Sequence, residues 1–260
     1  MTYRIYPEQP WTDCSDEADA SSVVTSCRRS SGSAPDPALR SFLIAAAFVP
    51  VAAASAEPPP GGWQLLVPGV YHGDEAPARP GPGWLALLPV GGVWRLEPAM
   101  VRATRVHDPL LDAEGDKTGI ALSSSRSGAI VLLKVPGIGP GKVDTPAMKF
   151  GEGPKPVSAG GVPLKVRFKA DEYVIEGSAH GIHVRNGAAG TLLPGVSAGG
   201  PDSDDSASLL WAGDLDRDGR LDLLFSYSGY NRGGVCLYLS SGADAGAQVR
   251  LTACHGGVGC

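Results

Sequence analysis

Residues 211–229 read WAGDLDRDGRLDLLFSYSG, and this stretch carries the densest group of charged side chains in the chain. Four aspartates stand at positions 1, 3, 5 and 9 of a short loop, residues 214–222, with Gly219 at position 6. Carboxylates this close repel one another, so we expect a cation to hold them together. Hard oxygen ligands on a loop turned by glycine suit calcium. The sequence therefore predicts a Ca²⁺ site in this segment, the acidic loop.

The residues that flank the acidic loop predict its structural context. An EF-hand needs a bidentate glutamate at position 12 and a helix on each side, whereas position 12 here is Phe225. The flanks are short apolar runs at 208–211 and 221–225, which are typical of β-strands. We therefore expect a calcium loop between two strands and not an EF-hand.

The pattern D-L-D-R-D-G-R-L-D-L-L at 214–224 resembles the calcium loop of FG-GAP and VCBS repeats, found in integrin α-chain propellers and in many secreted bacterial proteins. In that family the aspartates at positions 1, 3, 5 and 9 and a backbone carbonyl at position 7 bind one calcium ion. The resemblance extends through the apolar run 234–239 and covers residues 207–240. The ligands that it implies are Asp214, Asp216, Asp218 and Asp222 through their side chains and Arg220 through its carbonyl.

The rest of the chain has the texture of a β-protein. Its 260 residues include 36 glycines and 23 prolines, and short apolar runs alternate with turn residues without a sustained helical stripe. We expect a mainly β fold of antiparallel sheets, arranged as a sandwich, a barrel or blade-like units. Because the acidic loop occurs in one good copy, we expect a single hairpin of this type within another β-domain. The predicted strands lie at 63–67, 84–89, 93–96, 99–106, 119–123, 129–135, 164–168, 172–177, 181–185, 208–213, 221–227, 234–239 and 248–253.

A segment rich in glycine and proline at 136–162 is a candidate linker. It would separate an N-terminal β-unit at 57–135 from a C-terminal β-unit at 163–260 that contains the acidic loop. One continuous sheet with a long loop is the alternative organisation. About 200 residues remain after position 56, which is enough chain for a buried core in either case.

The N-terminal region predicts export. Arg40 precedes an apolar run at 41–53, and an Ala-Ser-Ala site ends at Ala56. These features are typical of a secretory signal peptide at 39–56, so we expect a secreted or periplasmic mature chain without a stable membrane span. Residues 1–38 are polar and predict a disordered leader, or a start codon assigned too far upstream. An ordinary buried helix at 38–54 is the alternative.

Cysteine spacing and charge agree with an exported protein. Cys236, Cys254 and Cys260 lie close together near the C-terminus and predict a disulfide. Cys236 could meet Cys254 diagonally across neighbouring strands, or Cys254 could close a small loop with Cys260. The formal net charge of −5, without a basic patch, argues against nucleic acid as the main partner.

Three functions are compatible with these observations, and no catalytic group of residues emerges from the sequence. The first is an exported calcium-binding β-protein with a structural, adhesive or partner-binding role, whose partner would be an extracellular protein or glycan. The second is an exported hydrolase in which calcium is a stabiliser. The third is a module that binds a glycan or a small ligand through its tryptophans, namely Trp63, Trp84, Trp94 and Trp211.

Overall fold

Every regular element in the computed structural model is a β-strand, and the structure describes residues 62–148, 153–200 and 203–258. In these ranges there is no helix of the length and hydropathy needed to cross a membrane. The predicted leader at 1–38, the signal peptide at 39–56 and Cys260 lie outside the described residues. The strands are β1 (Leu65–Leu66), β2 (Gly69–Tyr71), β3 (Trp84–Val90), β4 (Val93–Ala99), β5 (Val101–Val106), β6 (Gly119–Ser124), β7 (Val131–Leu133), β8 (Gly141–Lys142), β9 (Lys155–Val157), β10 (Leu164–Phe168), β11 (Asp171–Ser178), β12 (Gly181–Asn186), β13 (Ala189–Leu192), β14 (Ser206–Gly213), β15 (Asp222–Gly229), β16 (Arg232–Leu239) and β17 (Arg250–Val258).

The strands form four antiparallel sheets, which confirms the mainly β, antiparallel prediction. None of the sheets closes into a barrel within the described ranges, so the barrel alternative is wrong there. The strand orders are β1-β7-β3-β4-β8, β2-β6-β5, β10-β11-β12-β13 and β17-β16-β15-β14-β9. Half of the connections between consecutive strands join neighbours in a sheet, and the sheet β10-β11-β12-β13 is built entirely from such connections.

Four short strands are absent from the sequence prediction, and all four lie at the edge of a sheet. They are β2, β8, β9 and β13. Their residues are exposed or partly exposed, apart from one buried side chain at Val157. An edge strand of this kind contributes little to the core, so its sequence lacks the apolar run that indicates a strand. Two of them, β8 and β9, lie inside the predicted linker 136–162 and pair with β4 and β14.

The five-stranded sheet β1-β7-β3-β4-β8 is buried on both faces at its centre. Strands β1, β3 and β7 read as nearly continuous apolar runs, Leu65-Leu66, 84–88 and Val131–Leu133, because alternate side chains enter two different core clusters. One cluster joins this sheet to the strands after residue 155, and the other joins it to the sheet β2-β6-β5. The first cluster therefore includes side chains from both of the predicted β-units.

The sheet β17-β16-β15-β14-β9 positions the acidic loop. Strands β14 and β15 pair antiparallel, with Gly213 opposite Asp222 as the last pair, so the loop connects two neighbouring strands as predicted. Trp211, Leu223 and Phe225 are completely buried on these strands. Burial of each such side chain stabilises the fold by about 1.5–3 kcal/mol, so the two strands that flank the loop are anchored in the core.

One disulfide joins Cys236 of β16 to Cys254 of β17. The two residues are directly opposed in the strand register, with their Cα atoms 4.1 Å apart. The structure confirms the first of the two predicted pairings, but the diagonal geometry was wrong. A bulge between Leu237 and Tyr238 shifts the register of the two strands and brings the cysteines face to face.

Candidate metal centre

Two buried leucines fix the path of the acidic loop. Leu215 and Leu221 are almost fully buried in the core, and the aspartates between them stay at the surface or at its margin. Gly219 has φ of 90°, a left-handed conformation that glycine adopts without strain. The N–H of Asp214 donates to the carbonyl of Asp144 at 2.9 Å, which ties the start of the loop to the segment after β8.

Three of the predicted ligands come together. Asp214, Asp216 and Asp218 each offer a carboxylate oxygen, and these oxygens all lie within 4.8 Å of one another. The three side chains differ in environment, since Asp214 is 4% exposed, Asp216 is half-buried and Asp218 is exposed. Three negative charges at this separation in a partly buried site repel one another strongly unless a cation lies between them.

The buried carboxylate of Asp214 is incompletely satisfied. Its Oδ2 accepts hydrogen bonds from the N–H of Gly219 and from the Nζ of Lys169, each at 3.0 Å. Its Oδ1 is buried and has no hydrogen-bond partner. A buried acceptor without a partner costs about 1–3 kcal/mol, and more when it is charged. A bound cation would satisfy this oxygen and offset the repulsion of the other two carboxylates.

Local hydrogen bonds hold the two outer aspartates in place. The N–H of Asp218 donates to Oδ1 of Asp216 at 3.3 Å, and the N–H of Arg220 donates to Oδ1 of Asp218 at 2.8 Å. The hydroxyl of Ser241 donates to Asp216, and the hydroxyl of Ser240 lies 2.9–3.0 Å from both oxygens of Asp218. The carboxylates are therefore preorganised by the loop itself and by the end of β16.

Asp222, the fourth predicted side-chain ligand, is completely buried and bonded to the backbone. Its Oδ2 accepts from the N–H of Leu215 at 2.7 Å, and its Oδ1 accepts from the N–H of Ser240 at 2.8 Å. Burial raises the pKa of Asp222 to about 7, an effect that these hydrogen bonds oppose. Asp222 thus closes the loop and stands apart from the group of three, and its role as a ligand stays a prediction.

The two arginines of the loop point away from Asp214. The guanidinium of Arg217 donates to the carbonyls of Gly139 and Pro140 at 3.1 and 2.9 Å. Arg220 contacts Asp218 at 3.3 Å and donates to the carbonyl of Ser240. The ligand role predicted for the carbonyl of Arg220 stays a prediction.

Sequence reasoning missed several residues that complete the site. Ser240 and Ser241 follow β16 directly, and hydroxyls after the third strand of the repeat-like unit were a signal that could have identified them. Lys169 lies 45 residues before Asp214, and the carbonyl of Asp144 is supplied by the predicted linker. Contacts over such separations carry no local pattern, so the sequence could not reveal them.

The tryptophans considered as candidate stacking residues lie in the core or at its margin. Trp84 and Trp211 are buried, and Trp63 and Trp94 are half-buried, so these tryptophans form no exposed stacking surface. Comparison of the chain with protein-family models, with curated proteins and with solved structures finds no match.

Proposed function

We propose that this chain is an exported calcium-binding β-protein in which the ion clamps the acidic loop. The observation that carries the proposal is the carboxylate of Asp214, whose buried Oδ1 lacks a hydrogen-bond partner and which contributes an oxygen to the group of three within 4.8 Å. A divalent cation would satisfy this oxygen and neutralise most of the charge of the group.

The chemistry of the ligands favours calcium over other cations. Each atom of the group is a carboxylate oxygen, and flexible all-oxygen sites suit Ca²⁺, whereas Zn²⁺ prefers nitrogen and sulfur ligands. The resemblance to the calcium loop of FG-GAP and VCBS repeats supports the same ion. In this proposal the carbonyl of Arg220 and the carboxylate of Asp222 are the candidates that raise the coordination number toward six or more.

The clamp would hold together segments that are distant in sequence. The acidic loop contacts Asp144 and the carbonyls of 139–140, the end of β16 at Ser240, and Lys169 after β10. Calcium that binds the folded loop and not the unfolded chain stabilises all of these contacts through mass action. We therefore propose a structural or partner-binding role outside the cytoplasm, where calcium is abundant.

Calorimetric titration of the full chain with CaCl₂ tests the proposal. We expect one site, with a dissociation constant of about 10⁻⁴–10⁻³ M as in extracellular calcium modules, and weaker binding of MgCl₂. Asp216→Asn removes one ligand charge from a half-buried position and should weaken calcium binding at least tenfold. Asp244→Ala, which removes an exposed carboxylate outside the loop, is the matched control and should bind like the wild type.

A further inference from the structure

Lys169 is the positive group in direct contact with the buried carboxylate of the site. Its Nζ lies 3.0 Å from Oδ2 of Asp214, and its side chain is 45% exposed. A Cβ placed on Gly219 would lie 3.6 Å from the same Nζ, so the ammonium group sits directly beside the turn of the acidic loop. The Phe168 ring lies 5.0 Å from the ammonium group.

The backbone position of Lys169 is unusual for a lysine. Phe168 and Asp171 form the last pair between β10 and β11, so Lys169 and Ala170 make a two-residue hairpin turn. Lys169 has φ of 53°, and glycine or asparagine is the common residue at such a position. This backbone conformation is unfavourable for a residue other than glycine, so it persists only where interactions of the folded protein compensate for its cost. Residues of this kind concentrate at functional sites. The ion pair with Asp214 is such an interaction.

We infer that Lys169 is a tethered counter-ion of the acidic loop, which occupies Asp214 in the calcium-free protein and competes with calcium for it. The inference rests on the proposed function and deepens it. Without calcium, the ammonium group offsets the repulsion of the three carboxylates and preserves the shape of the loop. Calcium must either displace the ammonium group from Asp214 or bind beside a positive charge, and both weaken its affinity.

Lys169→Met tests this inference because it removes the charge and keeps an unbranched apolar side chain. An ion pair of this exposure contributes little, so calorimetry with the full chain should show calcium binding about three- to fivefold tighter than in the wild type. Lys165→Met removes the same charge from an exposed position of β10 and should leave the dissociation constant within about twofold of the wild type.

Lys169→Gly is a second variant that keeps the test valid if Lys169→Met folds poorly. Glycine relaxes the left-handed turn position and also lacks the ammonium group, so it too should bind calcium more tightly than the wild type. In excess chelator Lys169→Met should melt below the wild type, and the difference should shrink in saturating calcium.

The outcomes separate this inference from the calcium proposal. Wild type and Lys169→Met that bind calcium with equal affinity would overturn the role of Lys169 and leave the calcium site intact. Weaker binding by Lys169→Met would also overturn it, and would make Lys169 a support for the loop. An absence of binding in every variant would contradict the calcium proposal itself, and this inference with it.

Discussion

At the scale of single residues, the four aspartates of the acidic loop differ in burial and in hydrogen bonding. Asp218 is exposed and shares its oxygens with a hydroxyl and a neighbouring N–H, whereas Asp222 is completely buried and accepts backbone hydrogen bonds on both oxygens. Asp214 lies between these extremes, buried with one oxygen unpaired. Sequence spacing predicted all four as equivalent ligands, because spacing records which residues approach one another but not which oxygens are already bonded.

In calcium, Asp222→Ala removes a candidate ligand and should lower the free energy of unfolding by more than in chelator, where we expect a loss of about 2–4 kcal/mol. The reason is that the N–H groups of Leu215 and Ser240 lose their acceptor in the interior. Denaturant unfolding in calcium and in chelator measures this difference. An equal loss in the two buffers would show that Asp222 supports the loop without binding the ion.

At the scale of elements, the strands with a buried face could be predicted and the edge strands could not. All thirteen predicted runs overlap an observed strand, because each places apolar side chains in the core or, for 99–106, against its margin. Strands such as β8 and β13 have no buried side chain and leave no apolar pattern. A similar limit applies to the acidic loop. Its aspartates form a local sequence pattern, whereas Lys169 contacts Asp214 from 45 residues away and leaves no such pattern.

Strand β17 is held by the disulfide, whose removal should be costly. The Cys236–Cys254 bond closes a loop with a sequence separation of 18, and restricting the unfolded chain to that extent contributes about 3 kcal/mol. The double variant Cys236→Ala/Cys254→Ala should therefore unfold at lower denaturant concentration by a corresponding amount. Reduced wild type should resemble the variant, and unchanged stability in both would mean that the bond contributes little to folding.

His255 on β17 makes stability depend on pH. Burial lowers its pKa to about 4, with a smaller opposing effect from the Glu75 backbone, and its Nδ1 accepts the N–H of Val67 at 3.1 Å. The unfolded histidine titrates near 6.5, so between pH 6.5 and 4 the unfolded state binds more protons. The contribution of His255 is complete above that window and is lost as the pH falls through it, by about 2 kcal/mol at pH 5.

Comparison of the wild type with His255→Gln isolates this effect. The raised pKa values of His72 and Asp222 shift stability in the opposite direction, so the total pH profile mixes several groups. We expect the stability difference between the two proteins to change by about 2 kcal/mol between pH 7.5 and 5. A constant difference across this range would mean that His255 does not resist protonation in the folded state.

At the scale of the whole molecule, the acidic loop contacts the predicted linker, and the core cluster that holds its two leucines joins side chains of both predicted units. The core cluster beneath it includes side chains from Leu65 to Val249, and the loop contacts the segment at 139–144. Sequence patterns predicted the antiparallel β fold because local alternation determines strands. They could not predict how the sheets pack on one another, because that depends on contacts between distant residues.

The proposal that the chain is exported rests on the sequence of residues 39–56. We expect the secreted form to begin at Glu57, because cleavage would follow the Ala-Ser-Ala site. Amino-terminal sequencing or mass spectrometry of protein from the culture medium or periplasm measures this. Recovery of the chain from the cytoplasm with Met1 intact would contradict the proposed localisation.

The most direct test of the calcium clamp is a thermal melt of the full chain in millimolar calcium and in excess chelator. At about ten times the dissociation constant, calcium should add about 1.4 kcal/mol and raise the melting temperature by about 3–6 °C. Asp218→Ala should abolish this rise, and Asp244→Ala should retain it. Equal melting temperatures of the wild type in the two buffers, with calcium at saturating concentration, would contradict the clamp and leave the acidic loop as a turn neutralised by Lys169 and Arg220.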